Sequence, residues 1–128
     1  MAKKTVIIID DDPDLVEATK VVLEKAGYAV TSAHNGRKGL EVIRQGGVDA
    51  VLLDVMMAKE TEGFHVAQEL RDDPKTAKIP IVMLTSVAQK SGFEFSPQTD
   101  AEFLPVDAFL EKPVDPKKLI ETIAKVMK

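Results

Sequence analysis

Residues 5 to 13 read Thr5-Val6-Ile7-Ile8-Ile9-Asp10-Asp11-Asp12-Pro13. The apolar, β-branched run Thr5–Ile9 is short enough to be a strand that is buried on both faces. Asp12 followed by Pro13 supplies a helix N-cap and a first-turn proline. The stretch therefore predicts a strand that passes directly into a helix, with acidic residues at the junction.

The alternation of strand and helix continues along the rest of the chain. Further apolar runs predict strands, and apolar residues at helical spacing between them predict helices that end at glycine or before proline. The predicted strands cover residues 5–9, 28–33, 50–54, 79–84 and 108–111. Asn35-Gly36 is predicted to form a turn, and Asp115-Pro116 to begin the last helix. Short connections between alternating elements predict a doubly wound α/β fold, with helices on both faces of a five-stranded parallel sheet.

Length and composition narrow the class of protein. The 128 residues fit one domain, so we expect a single domain over residues 1–128 with no second domain. A composition of 45% hydrophobic and 30% charged residues is that of an ordinary soluble globule. The absence of cysteine excludes disulfides and thiolate metal sites. A net charge of −4 with scattered lysines argues against direct nucleic-acid binding. The apolar runs are too short for membrane insertion, so we expect a cytoplasmic protein.

Ligands of a doubly wound sheet bind beyond the carboxyl ends of its strands. Several carboxylates at that edge would repel one another unless a divalent cation relieves the repulsion. Because the site is rich in carboxylates, has no cysteine and is poor in histidine, it favours Mg²⁺, with Mn²⁺ as an alternative. The residues that close the predicted strands are Asp10, Asp11, Asp12, Asp54, Thr85, Ser86 and Lys112.

A metal ion, a lysine and a hydroxyl at one edge are the parts that phosphoryl transfer requires. Asp54 would attack phosphorus, and the cation and the Lys112 ammonium would neutralise the oxygens of the transferred group. The hydroxyl of Thr85 would donate a hydrogen bond to one of those oxygens. Two of the residues at this edge also have a simpler interpretation. Asp12 suits a helix cap, and Thr85 suits the end of a strand. Taken together they predict an aspartyl phosphate.

Four ordered motifs lie at residues 6–13, 52–57, 80–86 and 109–113. They resemble the motifs of response-regulator receivers in two-component signalling, and the resemblance covers nearly the whole chain. The resemblance implies a flavodoxin-like strand order, 2-1-3-4-5. It also implies a stand-alone phosphorelay protein that is phosphorylated by a sensor histidine kinase or a histidine phosphotransfer protein. The chain would then signal to an unknown downstream protein by contact, and would catalyse only its own phosphorylation and dephosphorylation.

The resemblance also assigns a role to individual residues. Asp10 and Asp11 become metal-binding acids, and Asp54 becomes both the phosphoacceptor and a metal ligand. Met56 becomes a metal ligand through its backbone carbonyl. The switch hydroxyl, the phosphate-binding lysine and the aromatic switch residue become Thr85, Lys112 and Phe109, although Phe109 also suits a plain core position.

Two other functions compete with this interpretation. A haloacid-dehalogenase-like phosphatase would use Asp10 as its nucleophile, because Asp10-Asp11-Asp12 has the Asp-x-Asp spacing of that family, but Pro13-Asp14 disrupts the rest of its motif. A flavodoxin-like FMN-binding module would need backbone N–H groups and hydroxyls around phosphate in its first loop, where three aspartates would repel the ligand.

Residues 91–105 depart from the receiver pattern, which has a full helix between the fourth and fifth strands. Gly92 and Pro97 oppose a helix, since glycine costs about 1 kcal/mol and proline about 3 kcal/mol in a helix interior. We predict a remodelled segment, with a loop followed by at most about two helical turns over residues 99–104. Backbone chemical shifts test this, and a continuous helix of three or more turns between Ala88 and Leu104 would contradict it.

Overall fold

The computed structural model of the chain describes residues 3–54, 62–86, 106–112 and 115–127. The strands in that part of the chain are β1 Thr5–Ile9, β2 Ala29–Ala33, β3 Ala50–Asp54, β4 Ile81–Ser86 and β5 Ala108–Lys112. The helices are α1 Pro13–Lys25, α2 Gly36–Arg44, α3 Glu62–Asp72 and α4 Pro116–Val126. Within these ranges, no helix has the length and apolar character that a membrane crossing needs. The segment predicted to be remodelled, 91–105, lies outside the described residues.

The five strands form one parallel sheet in the order β2-β1-β3-β4-β5. This order and the doubly wound α/β class confirm the expectation from the sequence and its resemblance. The central strand, β3, is buried along its whole length. A strand in that position has helices on both faces, which explains why its sequence is a continuous apolar run and does not alternate.

Side chains of successive strand residues point to opposite faces, so the sheet divides the core into two clusters. The first cluster, on the side of α2 and α3, contains Ile7, Ile9, Val51, Leu53, Ile81 and Met83 from the strands. The second cluster, on the side of α1 and α4, contains Val6, Ile8, Leu52, Val82, Leu84 and Leu110. The pairing register is fixed by this division, because a slip of one residue would exchange the two sets.

Aspartate caps begin two of the helices at the predicted positions. The side chain of Asp12 accepts hydrogen bonds from the backbone N–H groups of Asp14 and Leu15, at 3.1 and 3.3 Å. Asp115 accepts from Lys117 N–H at 3.1 Å. In both helices a proline follows the cap, where its missing N–H has no helical acceptor to lose. The capping interpretation of Asp12 is therefore confirmed.

Asn35-Gly36, predicted as a turn, is instead the start of α2. The Asn35 side chain is the N-cap and accepts a hydrogen bond from Lys38 N–H at 2.8 Å. Asparagine suits turns and caps for the same reason, since its short side chain bonds to nearby backbone N–H groups, so local sequence does not distinguish the two. Within α2, Gly39 packs directly against the side chain of Ile9, and a Cβ at that position would collide with it.

Three strands differ at their boundaries from the predicted ranges, and one of them, β5, extends to Lys112, one residue beyond the predicted end at 111. The starts of β2 and β4 differ because backbone groups there are used by the neighbouring turns. Tyr28 donates its N–H to Leu23 O at 3.1 Å, completing the end of α1 after Gly27, which has a φ of +101°. Strand β2 therefore begins at Ala29. Ile79 donates to Thr76 O at 3.1 Å, so β4 begins at Ile81 and extends to Ser86, beyond the predicted end at residue 84.

An arginine near the end of α3 ties three segments together. Arg71 Nη1 donates to Ala77 O at 2.9 Å and to Ile79 O at 2.6 Å. Arg71 Nη2 donates to Asp107 Oδ2 at 2.7 Å, and the two side chains form an ion pair. Asp107 is the residue that precedes β5. The guanidinium group thus satisfies turn carbonyls between α3 and β4 and links them to β5, an arrangement that suits the planar fork of arginine donors.

Leu52→Ala should destabilise the protein strongly, because Leu52 is 0% exposed in the central strand and its loss leaves a cavity. We expect a decrease in the free energy of unfolding of about 2–5 kcal/mol, measured by urea denaturation. Val21→Ala is the control, because Val21 is 42% exposed on α1 and should change stability by less than about 0.5 kcal/mol. Equal losses for the two variants would contradict the assignment of the core.

Candidate functional site

Asp10 continues directly from the last residue of β1. Its backbone N–H donates to Ala33 O at 3.1 Å, which extends the pairing of β1 with β2 by one position. Its Oδ1 accepts a hydrogen bond from Asp12 N–H at 3.0 Å. The residue is only 1% exposed, so the carboxylate lies at the end of an apolar strand and is screened from bulk water.

Asp54 is the last residue of β3 and is 2% exposed. In the register of β1 and β3, Ile9 pairs with Leu53, so Asp10 and Asp54 follow at the same level of the sheet. The alternation of side chains places both aspartates on the side of α1 and α4. Register and alternation together therefore bring two buried carboxylates side by side at the carboxyl edge.

A third carboxylate completes the cluster. Asp11 is exposed, and carboxylate oxygens of Asp10, Asp11 and Asp54 all lie within 4.8 Å of one another. Like charges this close repel, and the repulsion is strongest for the two that are withdrawn from water. The donor set consists of oxygens alone, which is the set that hard divalent cations prefer. These three aspartates therefore form a cluster that can hold a metal ion.

The ends of β4 and β5 reach the same edge of the sheet. Asp54 pairs with Leu84, so Thr85 stands one position beyond the level of Asp54. Leu84 pairs with Leu110, and Lys112 ends β5 two positions further on, about 7 Å along the strand. The backbone thus brings Thr85 and Lys112 to the edge that holds the aspartates, as the sequence predicted. Met56 lies outside the described residues.

Phe109 lies on the face of the sheet opposite to that of Asp10 and Asp54. It is partly buried and packs against the cluster on the side of α2 and α3, whereas Asp54 lies on the side of α1 and α4. This packing agrees with the core interpretation of Phe109. A role as a switch residue remains a prediction.

Sequence reasoning missed three polar residues at the amino edge of the sheet. Asp49 and Asp107 each precede a strand, and Arg71 binds Asp107. A sequence pattern could have drawn attention to the aspartates, because both stand in the triplet Val-Asp-Ala immediately before an apolar run. No local pattern reveals the partner of Arg71, which lies 36 residues away.

Comparison with known proteins matches residues 6–124 to the family described as the response regulator receiver domain. The protein PilH of Pseudomonas aeruginosa is 32% identical over 122 residues, which is 95% of this chain and 96% of PilH. The DNA-binding regulator RpaA of Synechocystis is 35% identical over 127 residues, 96% of this chain, but this chain spans only 48% of RpaA. It likewise spans about half of several other transcriptional regulators that it matches.

Solved structures resemble the fold closely. The chemotaxis response regulator CheY4 of Vibrio cholerae superposes with a TM-score of 0.82 at 28% identity, covering 98% of this chain and 99% of that one. A CheY-like receiver domain protein of Methanospirillum hungatei superposes with a TM-score of 0.82 at 25% identity, covering 98% and 94%.

Asp11→Asn should weaken divalent cation binding, because it removes one anionic oxygen donor from a cluster of three. We expect a loss in Mg²⁺ affinity of at least about 10-fold, measured by isothermal titration calorimetry. Asp12→Asn is a matched control, since it changes the net charge equally at the next residue, and asparagine caps a helix as well as aspartate does. An equal loss of affinity in both variants would indicate a general charge effect and would contradict the assignment of Asp11.

Proposed function

Since the chain belongs to the response regulator receiver domain family and is a phosphoacceptor module of two-component signalling, we propose that Asp54 accepts the phosphoryl group. The assignment rests on the burial and the position of Asp54. A 2% exposed carboxylate ends the central strand, beside two further carboxylates at the edge where ligands of such sheets bind. In a site withdrawn from water, the electrostatic interactions that stabilise a transferring phosphoryl group are stronger than in solution.

The proposed reaction is an in-line displacement on a phosphohistidine of a sensor histidine kinase or a histidine phosphotransfer protein. A carboxylate oxygen of Asp54 attacks phosphorus, and a new O–P bond forms as the P–N bond to the donor imidazole breaks. The bonding electrons leave with the imidazole nitrogen, which takes up a proton. The product is an acyl phosphate on Asp54.

The metal in this proposal is Mg²⁺, which Mn²⁺ can replace. Asp10, Asp11 and Asp54 would hold it, together with the backbone carbonyl of Met56, and the three clustered carboxylates fit a hard cation. When bound, the cation supplies positive charge to the oxygens of the phosphoryl group. Asp10 has an additional local role, because its Oδ1 fixes Asp12 N–H and so the turn that carries Asp11.

Lys112 and Thr85 are proposed to bind the phosphoryl oxygens once the group is on Asp54. The ammonium of Lys112 would neutralise one oxygen, and the hydroxyl of Thr85 would donate a hydrogen bond to another. Movement of Thr85 towards the phosphoryl group would alter the β4–β5 edge, where Phe109 packs against the core, and Phe109 is proposed to act as the aromatic switch.

The output of the domain is proposed to be a protein contact with an unknown downstream target. We further propose that residues 1–128 act as one receiver unit, without direct nucleic-acid binding, and that the chain catalyses only its own phosphorylation and dephosphorylation. PilH, of which this chain covers 96%, is a relative of similar size. The cytoplasmic location remains a prediction from the sequence.

The two competing functions are not favoured. The match over residues 6–124 is to receiver domains, and neither a phosphatase nor a flavin protein is among the relatives described above. Asp10, the nucleophile that the phosphatase interpretation requires, lies beside Asp54 in the same acidic cluster. The two functions therefore differ in which aspartate carries phosphorus.

Acetyl phosphate with Mg²⁺ should add one phosphoryl group to the wild-type protein and none to Asp54→Asn, as measured by intact-mass spectrometry. Lys112→Ala should slow the labelling roughly 10²-fold, because a preorganised cation is lost. Lys117→Ala is the control, since Lys117 is exposed in the first turn of α4 and should label at the wild-type rate. Labelling of Asp54→Asn, with the group mapped to Asp10, would overturn the assignment and favour the phosphatase.

A further inference from the structure

Two aspartates make the same pair of hydrogen bonds at the amino edge of the sheet. Asp49 precedes β3, donates its N–H to Thr5 O at 2.8 Å, and accepts Thr5 N–H on Oδ2 at 2.7 Å. Asp107 precedes β5, donates its N–H to Ile81 O at 2.8 Å, and accepts Ile81 N–H on Oδ2 at 2.8 Å. In each case the partner is the first residue of a neighbouring strand. We call these two arrangements the aspartate brackets.

The brackets share a sequence as well as a geometry. Asp49 stands in Val48-Asp49-Ala50 and Asp107 in Val106-Asp107-Ala108. Both valines are partly buried against the core cluster on the side of α2 and α3, and both alanines begin a strand. Each strand then ends five residues after its aspartate, at Asp54 in β3 and at Lys112 in β5. The brackets thus begin the two strands that carry the proposed nucleophile and the proposed phosphate-binding lysine.

A bracket defines which residues face each other. Ordinary parallel pairing satisfies N–H and C=O groups with different residues of the neighbouring strand, whereas here one aspartate satisfies both groups of one neighbour. Hydrogen bonds to a carboxylate are also shorter and stronger than those between neutral groups. The brackets extend the pairing of Val6 with Ala50 and of Val82 with Ala108 by one position. They therefore hold each pair of strands at the start of its register.

We propose that Asp49 and Asp107 are positioning residues for phosphorylation, a proposal that rests on the function assigned above. Asp49 holds β3 against β1 and so sets the separation of Asp54 from Asp10. Asp107 holds β5 against β4 and so sets the level of Lys112 relative to Thr85. The strands between are tightly packed and transmit a shift along their length, about 16 Å for five residues.

The two brackets differ in whether the aspartate also forms an ion pair. Asp107 Oδ2 also accepts from Arg71 Nη2 at 2.7 Å, whereas Asp49 makes no ion pair among the residues that the structure describes. Replacement by asparagine keeps an oxygen for the backbone N–H but removes the charge. Asp49→Asn should therefore behave like the wild type, and Asp107→Asn should be intermediate between the wild type and Asp107→Ala.

The experiment measures two properties of Asp49→Ala and Asp107→Ala in the 128-residue protein. The first is the Mg²⁺ affinity, by calorimetry, and the second is the rate of labelling by acetyl phosphate at saturating Mg²⁺. Asp49→Ala should weaken Mg²⁺ binding roughly 10-fold, which is below the 10²-fold that a displacement of about 1 Å can cost. Asp107→Ala should keep Mg²⁺ affinity within about twofold of the wild type and slow labelling roughly 10-fold, since only the lysine strand shifts.

Hydrogen exchange monitors the brackets directly. The amides of Thr5 and Ile81 should be protected in the wild type, and each should exchange faster only in the alanine variant of its own bracket. Ile123→Val is the stability control, because Ile123 is buried in the cluster on the side of α1 and α4 and touches neither bracket. It should lower stability while leaving Mg²⁺ affinity and labelling rate unchanged.

Two outcomes would overturn the proposal, provided that the bracketed amides lose protection. In the first, both alanine variants change Mg²⁺ affinity and labelling rate in parallel. In the second, neither variant changes either property. If an alanine variant does not fold, the asparagine variants carry the test, and wild-type behaviour of Asp107→Asn in labelling rate would overturn the role of Asp107. A wild-type protein that is not labelled on Asp54 would instead overturn the proposed function, so the two failures are distinct.

Discussion

The pairing of β1 with β3 is the constraint on which the rest of the molecule depends. Both strands are buried on two faces, and each alternates between the two core clusters, so only one register keeps every apolar residue in its own layer. That register puts the residue after Ile9 beside the residue after Leu53. The acidic cluster is therefore a consequence of how an apolar core is packed.

The same constraint explains how three carboxylates can stand so close together. Asp10 and Asp54 are almost completely buried, and carboxylates this close repel one another. A site of this kind persists only when surrounding structure holds it, and here the rigid apolar strands do so. Functional sites commonly trade some stability for activity in this way. A bound divalent cation would offset this repulsion, because it attracts all three carboxylates.

The two edges of the sheet differ in how their polar groups are used. At the amino edge, backbone groups at the starts of β1 and β4 are satisfied by Asp49 and Asp107, and Arg71 ties the second of these to α3. At the carboxyl edge, polar side chains are concentrated at the strand ends and the first helix begins immediately after the acids. Hydrogen bonds thus fix one end of the strands, so that the other end can hold charged groups in a defined arrangement.

The sequence by itself determined the strands β1 and β3, the aspartate caps of α1 and α4, and the acids that would meet at one edge, because periodicity and capping are local properties. It also indicated a doubly wound sheet, while the order of strands came from a resemblance to known receivers. Only the tertiary structure decided that Asp49 binds Thr5, 44 residues away, and that Arg71 binds Asp107. It also decided that Asn35 caps a helix and that β4 begins two residues later than its apolar run. Local sequence tells which groups need a partner, but the partner is chosen by which strands become neighbours when the core is packed.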